Sequence, residues 1–107
     1  MKRAKFVLRK SGPHSFFELV TANDEILLHN ELHRWRGAAE DGVVAVKVSA
    51  PDDARYQRKS DGKKHYFVLT SAGGEVLCTS GMYETAPAME KAIQSVKRNS
   101  AKAQIDK

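Results

Sequence analysis

The order of apolar and polar positions spells out one pattern twice. In "SGMYETAPAMEKAIQSVKRN", Ser80 to Asn99, the residues Met89, Ala92, Ile93 and Val96 fall at i, i+3, i+4 and i+7. That spacing predicts a helix with one apolar stripe, which must lie on a sheet. Thr85 can cap its amino end, Pro87 is tolerated in the first turn, and Lys97 and Arg98 sit at the negative end of the macrodipole. Fifty residues earlier, Ala39, Gly42, Val43 and Val46 repeat the stripe in "NELHRWRGAAEDGVVAVKVS". There Trp35 stands where the capping threonine does, and Gly37 and Gly42 lower the helix propensity, so the first helix is expected to be the less stable.

Ahead of each helix the period changes from 3.6 to 2. Lys5 to Lys10 and Arg55 to Lys59 read as first strands, closed by the turn segments "SGPHS" and "SDGKK". Phe16 to Thr21 and Tyr66 to Thr70 are aromatic and β-branched, which suits second strands. The short turns "AND" and "AGG" then lead to Glu25–His29 and Glu75–Thr79, making antiparallel hairpins. Beyond the second helix, Gln104 and Ile105 suit a last short strand.

A constant offset ties the halves together. Shifting the chain by 50 pairs Gly12 with Gly62, Phe17 with Phe67, Leu19 with Leu69, Leu27 with Leu77, Glu40 with Glu90 and Lys47 with Lys97. Similar residues fill the gaps, among them Phe6 with Tyr56 and Phe16 with Tyr66. The chain is therefore two copies of one unit, roughly 5–50 and 55–100, with a tail over 101–107. One such unit has too little interior to be stable alone, and the second copy supplies the missing half of a shared core. Phe17, Leu19, Leu27, Phe67, Leu69 and Leu77 are the sheet's expected share of it. Glu40 and Glu90 are expected in first helical turns, and Lys47 and Lys97 in last turns, where the macrodipole favours each sign.

With 107 residues, 41% of them hydrophobic, the chain fits one domain over 1–107. No apolar run approaches the roughly 18 to 20 residues that cross a bilayer, and "MKRAKFVLRK" has no h-region, so a cytoplasmic protein with no membrane partner is expected. The single cysteine, Cys78, agrees with a reducing compartment. The net charge of +5 is spread: residues 1–50 carry 8 basic and 6 acidic side chains, and residues 51–107 carry 10 and 7.

The segment "GxVLxTSxMYxTAxxxExxIxSVKxN" of Gly74 to Asn99, preceded by "YFVLTSAGG" and duplicated in the first half, closely resembles the YegP-like family of small proteins built from one or two copies of a short repeat. The resemblance covers nearly the whole chain. It implies an α+β fold of two tandem β(3)-α-β repeats forming a single antiparallel sheet with two helices, pseudo-twofold symmetric, with exchanged terminal strands. It also implies a domain of unknown function with no established catalytic residues to carry over. His33 and Trp35 depart from the pattern where the second copy has Tyr83 and Thr85.

The side chains that could do chemistry are few. His29 and His33 are four apart, but at a strand end and a loop, with no third ligand at a recognisable spacing; no metal or other cofactor is expected. Cys78 matches Leu28 in the other copy and reads as a small buried hydrophobe. His14 and His65 flank turns and read as solvent-facing. "SAGGE" joins strand to strand, whereas a phosphate cradle needs a helix amino end. No catalytic constellation stands out.

Two hypotheses follow, both for a monomer with its repeats packed together. In the first, the second and third strands are apolar on both alternations, so Phe16, Val20, Ile26 and Leu28 form a patch on the face away from the helices; this makes the chain a protein interaction module. In the second, basic residues interleave with rings in "LHRWRG" and "RYQRKSDGKKHYF". Arg34, Trp35, Arg36, Arg55, Tyr56, Arg58, Lys59, Lys63 and Lys64 are then contacts for a single-stranded nucleic acid.

Overall fold

The structure is a computed structural model and describes residues 4–33 and 36–106. Strands β1 (Lys5–Ser11), β2 (His14–Val20) and β3 (Ile26–His33) precede helix α1 (Arg36–Ser49). After a 3-10 turn over Asp53–Arg55, the order repeats as β4 (Tyr56–Asp61), β5 (Lys64–Thr70), β6 (Val76–Thr79) and α2 (Ala86–Asn99), and the chain ends in β7 (Gln104–Asp106). The helices start and stop fifty positions apart, as do β2 and β5. So do the turns: Gly12 and Gly62 both have φ of 62°, and Asp24, at 64°, is matched by Gly74 at 89°. Aspartate tolerates this left-handed conformation better than most side chains.

All seven strands form one sheet in the order β4-β5-β6-β3-β2-β1-β7. Six run antiparallel to their neighbours, and β7 adds to β1 in parallel, pairing Gln104 with Lys5 and Ile105 with Phe6, so the sheet is mixed. The copies meet where His29 faces Thr79. Those positions are related by the same offset of 50, so the pseudo-twofold axis passes between them. The terminal strand of the second copy thus crosses to the first copy's edge, as the family resemblance implies.

Each copy also carries a bulge in its third strand. Leu19 pairs with Leu28 while Val20 pairs with Ile26, leaving Leu27 extra; Leu69 pairs with Cys78 while Thr70 pairs with Val76, leaving Leu77 extra. A bulge breaks the strict alternation of faces, and Leu27 and Leu28 both enter the core.

Both helices pack on one face. Val43 and Val46 of α1 and Met89, Ala92, Ile93 and Val96 of α2 close over Phe6, Phe17, Leu19, Phe67 and Leu69 in a single cluster. Leu77 is half-buried against it. Thr85 caps α2 as expected, its Oγ1 accepting from the Ala88 N–H at 3.2 Å. Several strand boundaries shift by a residue or more from the sequence expectation, and some of the differences matter. The 3-10 turn takes Arg55 from the start of β4; β3 runs on to His33; and Glu40 and Glu90 lie just past first turns that hold no acidic residue.

Candidate interaction face

With both helices on one side of the sheet, no element among the described residues packs on the other. One row across that outer face runs Gln57, Val68, Thr79, His29, Glu18 and Val7, each paired with the next across neighbouring strands. The outer alternation also holds Arg9 and Phe16, cross-strand partners on β1 and β2, and Lys59 and Tyr66, cross-strand partners on β4 and β5. Arg9 Nε donates to Glu18 Oε1, and the Glu18 side chain is only 13% exposed.

The apolar patch is smaller than the sequence suggests. Leu28 is a core residue, 0% exposed, because the bulge turns it inward. Val20 does lie on the outer alternation, but it is only 5% exposed. Phe16 is half-buried and Ile26 is 47% exposed. Val76, the counterpart of Ile26, is 59% exposed, and Tyr66, the counterpart of Phe16, is half-buried. Alternation by two combined with the offset of 50 was enough to find these last two, and Arg9 with its counterpart Lys59 as well.

The basic segment is largely committed to the fold. Tyr56 is not an available ring: it is buried, its hydroxyl donates to the Ala50 carbonyl at 2.7 Å, and its ring lies 5.7 Å from that of Phe67. Burial pushes its phenol well above the ordinary range. Arg55 pairs with Asp52 at 3.2 Å. Arg58 grips both oxygens of Glu90, at 2.7 and 3.1 Å, and meets Asp53 at 3.0 Å; these acceptors, Glu90 first, push its pKa up. Glu90 therefore holds β4 to α2, a role the macrodipole expectation did not include. Lys97 also reaches Asp53, at 2.7 Å, and its hydrogen bond, followed by that of Arg58, holds the Asp53 carboxyl below the usual range. Lys64 pairs with Glu84. Lys59 and Lys63 are exposed and have no carboxylate partner among the described residues. Arg34 and Trp35 lie outside the described residues, and Arg36 opens α1.

Cys78 is 2% exposed, and burial alone pushes its thiol far up, which suppresses the nucleophilic thiolate. His65 is half-buried rather than solvent-facing, its backbone exchanging two hydrogen bonds of 2.8 Å with Tyr83. Among the described residues, no three of His, Cys, Asp and Glu gather as metal ligands, and no helix is long and apolar enough to cross a membrane. An open groove of about 710 Å³ lies between the β2–β3 turn and the end of α2. Among the described residues, Lys102 is the one titratable group lining it.

The duplicated unit and the overall fold are matched in known proteins. A family model described as a domain of unknown function, DUF1508, matches residues 11–57 and again 60–106. The chain belongs to this family. A UPF0339 protein of Bordetella pertussis is 44% identical over 88% of this chain and 86% of its own length. The UPF0339 protein YegP of Escherichia coli is 38% identical over 88% and 87%. The solution NMR structure of the E. coli yegP protein superposes with a TM-score of 0.89 at 31% identity, covering 99% of this chain and 93% of that one. A UPF0339 protein from Shewanella oneidensis gives 0.90 at 30% identity, covering 96% and 89%. The DUF1508 fold is thus the fold of this chain.

Proposed function

We propose that the chain is a non-catalytic interaction module whose working surface is the uncovered face of its sheet. The observation carrying this reading is the one-sided placement of the helices, which leaves Phe16, Ile26, Tyr66 and Val76 on a broad face over which no helix or strand among the described residues packs. Exposed apolar side chains gathered on one face are what partner surfaces present. The side chains best suited to chemistry support a non-catalytic reading: Cys78 is a buried thiol, and Arg58, Asp53 and Glu90 neutralise one another. A cytoplasmic setting belongs to the proposal and is supported by the use of a single, buried cysteine with no disulfide framework.

Affinity capture from the native cell at two salt concentrations tests it, with an Ile26→Glu/Val76→Glu variant alongside. Both residues are exposed, so the variant is expected to keep the fold, checked by melting, and to lose the partner that the parent chain retains. Val44 and Val48 on the outer side of α1 are 59% and 76% exposed and serve as the control. A partner lost on Val44→Gln/Val48→Arg but kept by the sheet variant places the surface on the helix and refutes the proposal.

A further inference from the structure

The open face carries a repeated arrangement that the two sequence hypotheses had divided between them. Arg9 beside Phe16 and Lys59 beside Tyr66 are cross-strand pairs fifty positions apart. In each, an exposed cation adjoins a half-buried ring on the uncovered side of the sheet. Register fixes how far apart they stand. Val68, Thr79, His29 and Glu18 form one row over β5, β6, β3 and β2. Tyr66 precedes Val68 by two positions and Phe16 precedes Glu18 by two, on strands of opposite direction, so the rings fall on opposite sides of that row. With strands about 4.8 Å apart and about 3.3 Å of rise per residue, the separation is about 14 Å across and about 13 Å along, hence about 20 Å on the diagonal.

The two halves differ in charge. In the first copy Glu18 neutralises Arg9. In the second, Val68 stands at the position of Glu18, so no carboxylate faces Lys59 there, and Lys63 on the adjoining turn adds a second exposed cation.

Building on the interaction-face reading, we propose that the occupant is a single-stranded nucleic acid, lying diagonally from Tyr66 to Phe16. Its bases stack on the two rings, and its phosphates meet Lys59 and Lys63 at one end and, more weakly because Glu18 already pairs with it, Arg9 at the other. Three features favour this polymer. A ring flanked by a cation on a flat surface fits a base and its phosphate, whatever the base. The centre of the face, at His29 and Thr79, is polar, where a protein partner's contact is usually most apolar. The net charge of +5 draws a polyanion. A duplex is disfavoured, because its bases are already stacked and leave nothing for the rings.

The test is a fluorescence-anisotropy titration of a short labelled RNA and DNA, single-stranded and as a duplex, at several salt concentrations. Saturable binding to the single strands is expected, with log K falling against log salt at a slope of about −1.4 to −2.1 for two or three phosphates at about −0.7 each. Tyr66→Ala and Phe16→Ala should each weaken binding roughly 5- to 150-fold, the range for a lost base–ring stack. Tyr66→Phe, which keeps the ring and guards against a folding defect in Tyr66→Ala, should retain binding. Lys59→Gln should make the slope shallower by about 0.7. Absence of saturable binding at low salt overturns the proposal, and so does salt-sensitive binding indifferent to both rings. If nucleic acid fails to bind while Ile26→Glu/Val76→Glu still loses a captured protein, this inference fails and the interaction face stands. If the capture is also unaffected, both fail.

Discussion

Truncating Ile93 to alanine tests the whole architecture at one point. Ile93 is 0% exposed and sits at the middle of the α2 stripe, in the cluster formed by both helices and both halves of the sheet. The substitution removes three buried carbons. At about 0.8 kcal/mol each, the transfer part alone comes to about 2.4 kcal/mol. The cavity left between helix and sheet adds to this, giving about 2 to 5 kcal/mol in all. Gln94, one residue on, is exposed, and Gln94→Ala should stay within roughly 0.5 kcal/mol. Pseudo-symmetry supplies a further comparison in Val43, the counterpart of Ile93 at 1% exposure. Val43→Ala removes two carbons and should cost less than Ile93→Ala but clearly more than Gln94→Ala. Urea midpoints at unchanged m-value are the assay. Comparable losses for Ile93→Ala and Gln94→Ala would refute the assignment of the helix face, and a free Val43→Ala would refute the shared core.

Three further outcomes are expected. Tyr56→Phe keeps the buried ring but leaves the Ala50 carbonyl without its donor, and should lower stability by about 0.5 to 1.5 kcal/mol by the same urea assay. Cys78, buried and with its thiol pushed up, should react with an aromatic disulfide reagent only as fast as the protein opens, and at once in denaturant; fast labelling of the native chain would contradict its burial. The Asp53 carboxyl is held below its usual range by Lys97 and Arg58, so its contribution to stability is present above the unfolded-state value of about 3.9 and is lost as pH falls through the lower folded value. Denaturant midpoints should therefore drop in that acid window, and less steeply in Asp53→Asn.

The repeat was legible because a duplicated sequence carries its own alignment. Apolar positions fifty apart marked both helices, both hairpins and most of the core without any reference to a structure. The bulges were not legible. Leu27 and Leu28 look like successive residues on opposite faces, and only the pairing of Leu19 with Leu28 and Val20 with Ile26 shows that both turn inward. That hidden register shift is why Leu28 entered the expected patch. The basic segment misled for a different reason: composition counts charges, while partners decide which are free. Arg58 and Lys64 meet the distant carboxylates of Glu90 and Glu84, Arg55 meets Asp52 within its own turn, and Tyr56 aligned with the core residue Phe6 all along.

Covalent joining of the copies explains where their symmetry stops. Each repeat ends in a segment that could add to the other copy's first strand, and the second copy does this by placing β7 on β1. The corresponding segment of the first copy, Ala54 to Tyr56, cannot do the same, because it must lead directly into β4. It is taken up by the 3-10 turn and the strand's own first residue, so β4 has a partner on one side only. An open edge invites pairing with another chain. Here every residue of β4 after Tyr56 is exposed, with Arg58, Lys59 and Asp61 among them. Charges at an edge oppose the addition of another strand, since joining a neighbour desolvates them. The clamp of Arg58 on Glu90 and Asp53 then ties that unsupported strand back to α2 and to the turn before it. The same edge leaves Lys59 exposed beside Tyr66, so the side of the sheet that lost its outer strand to the tandem connection is the side with the freer charge.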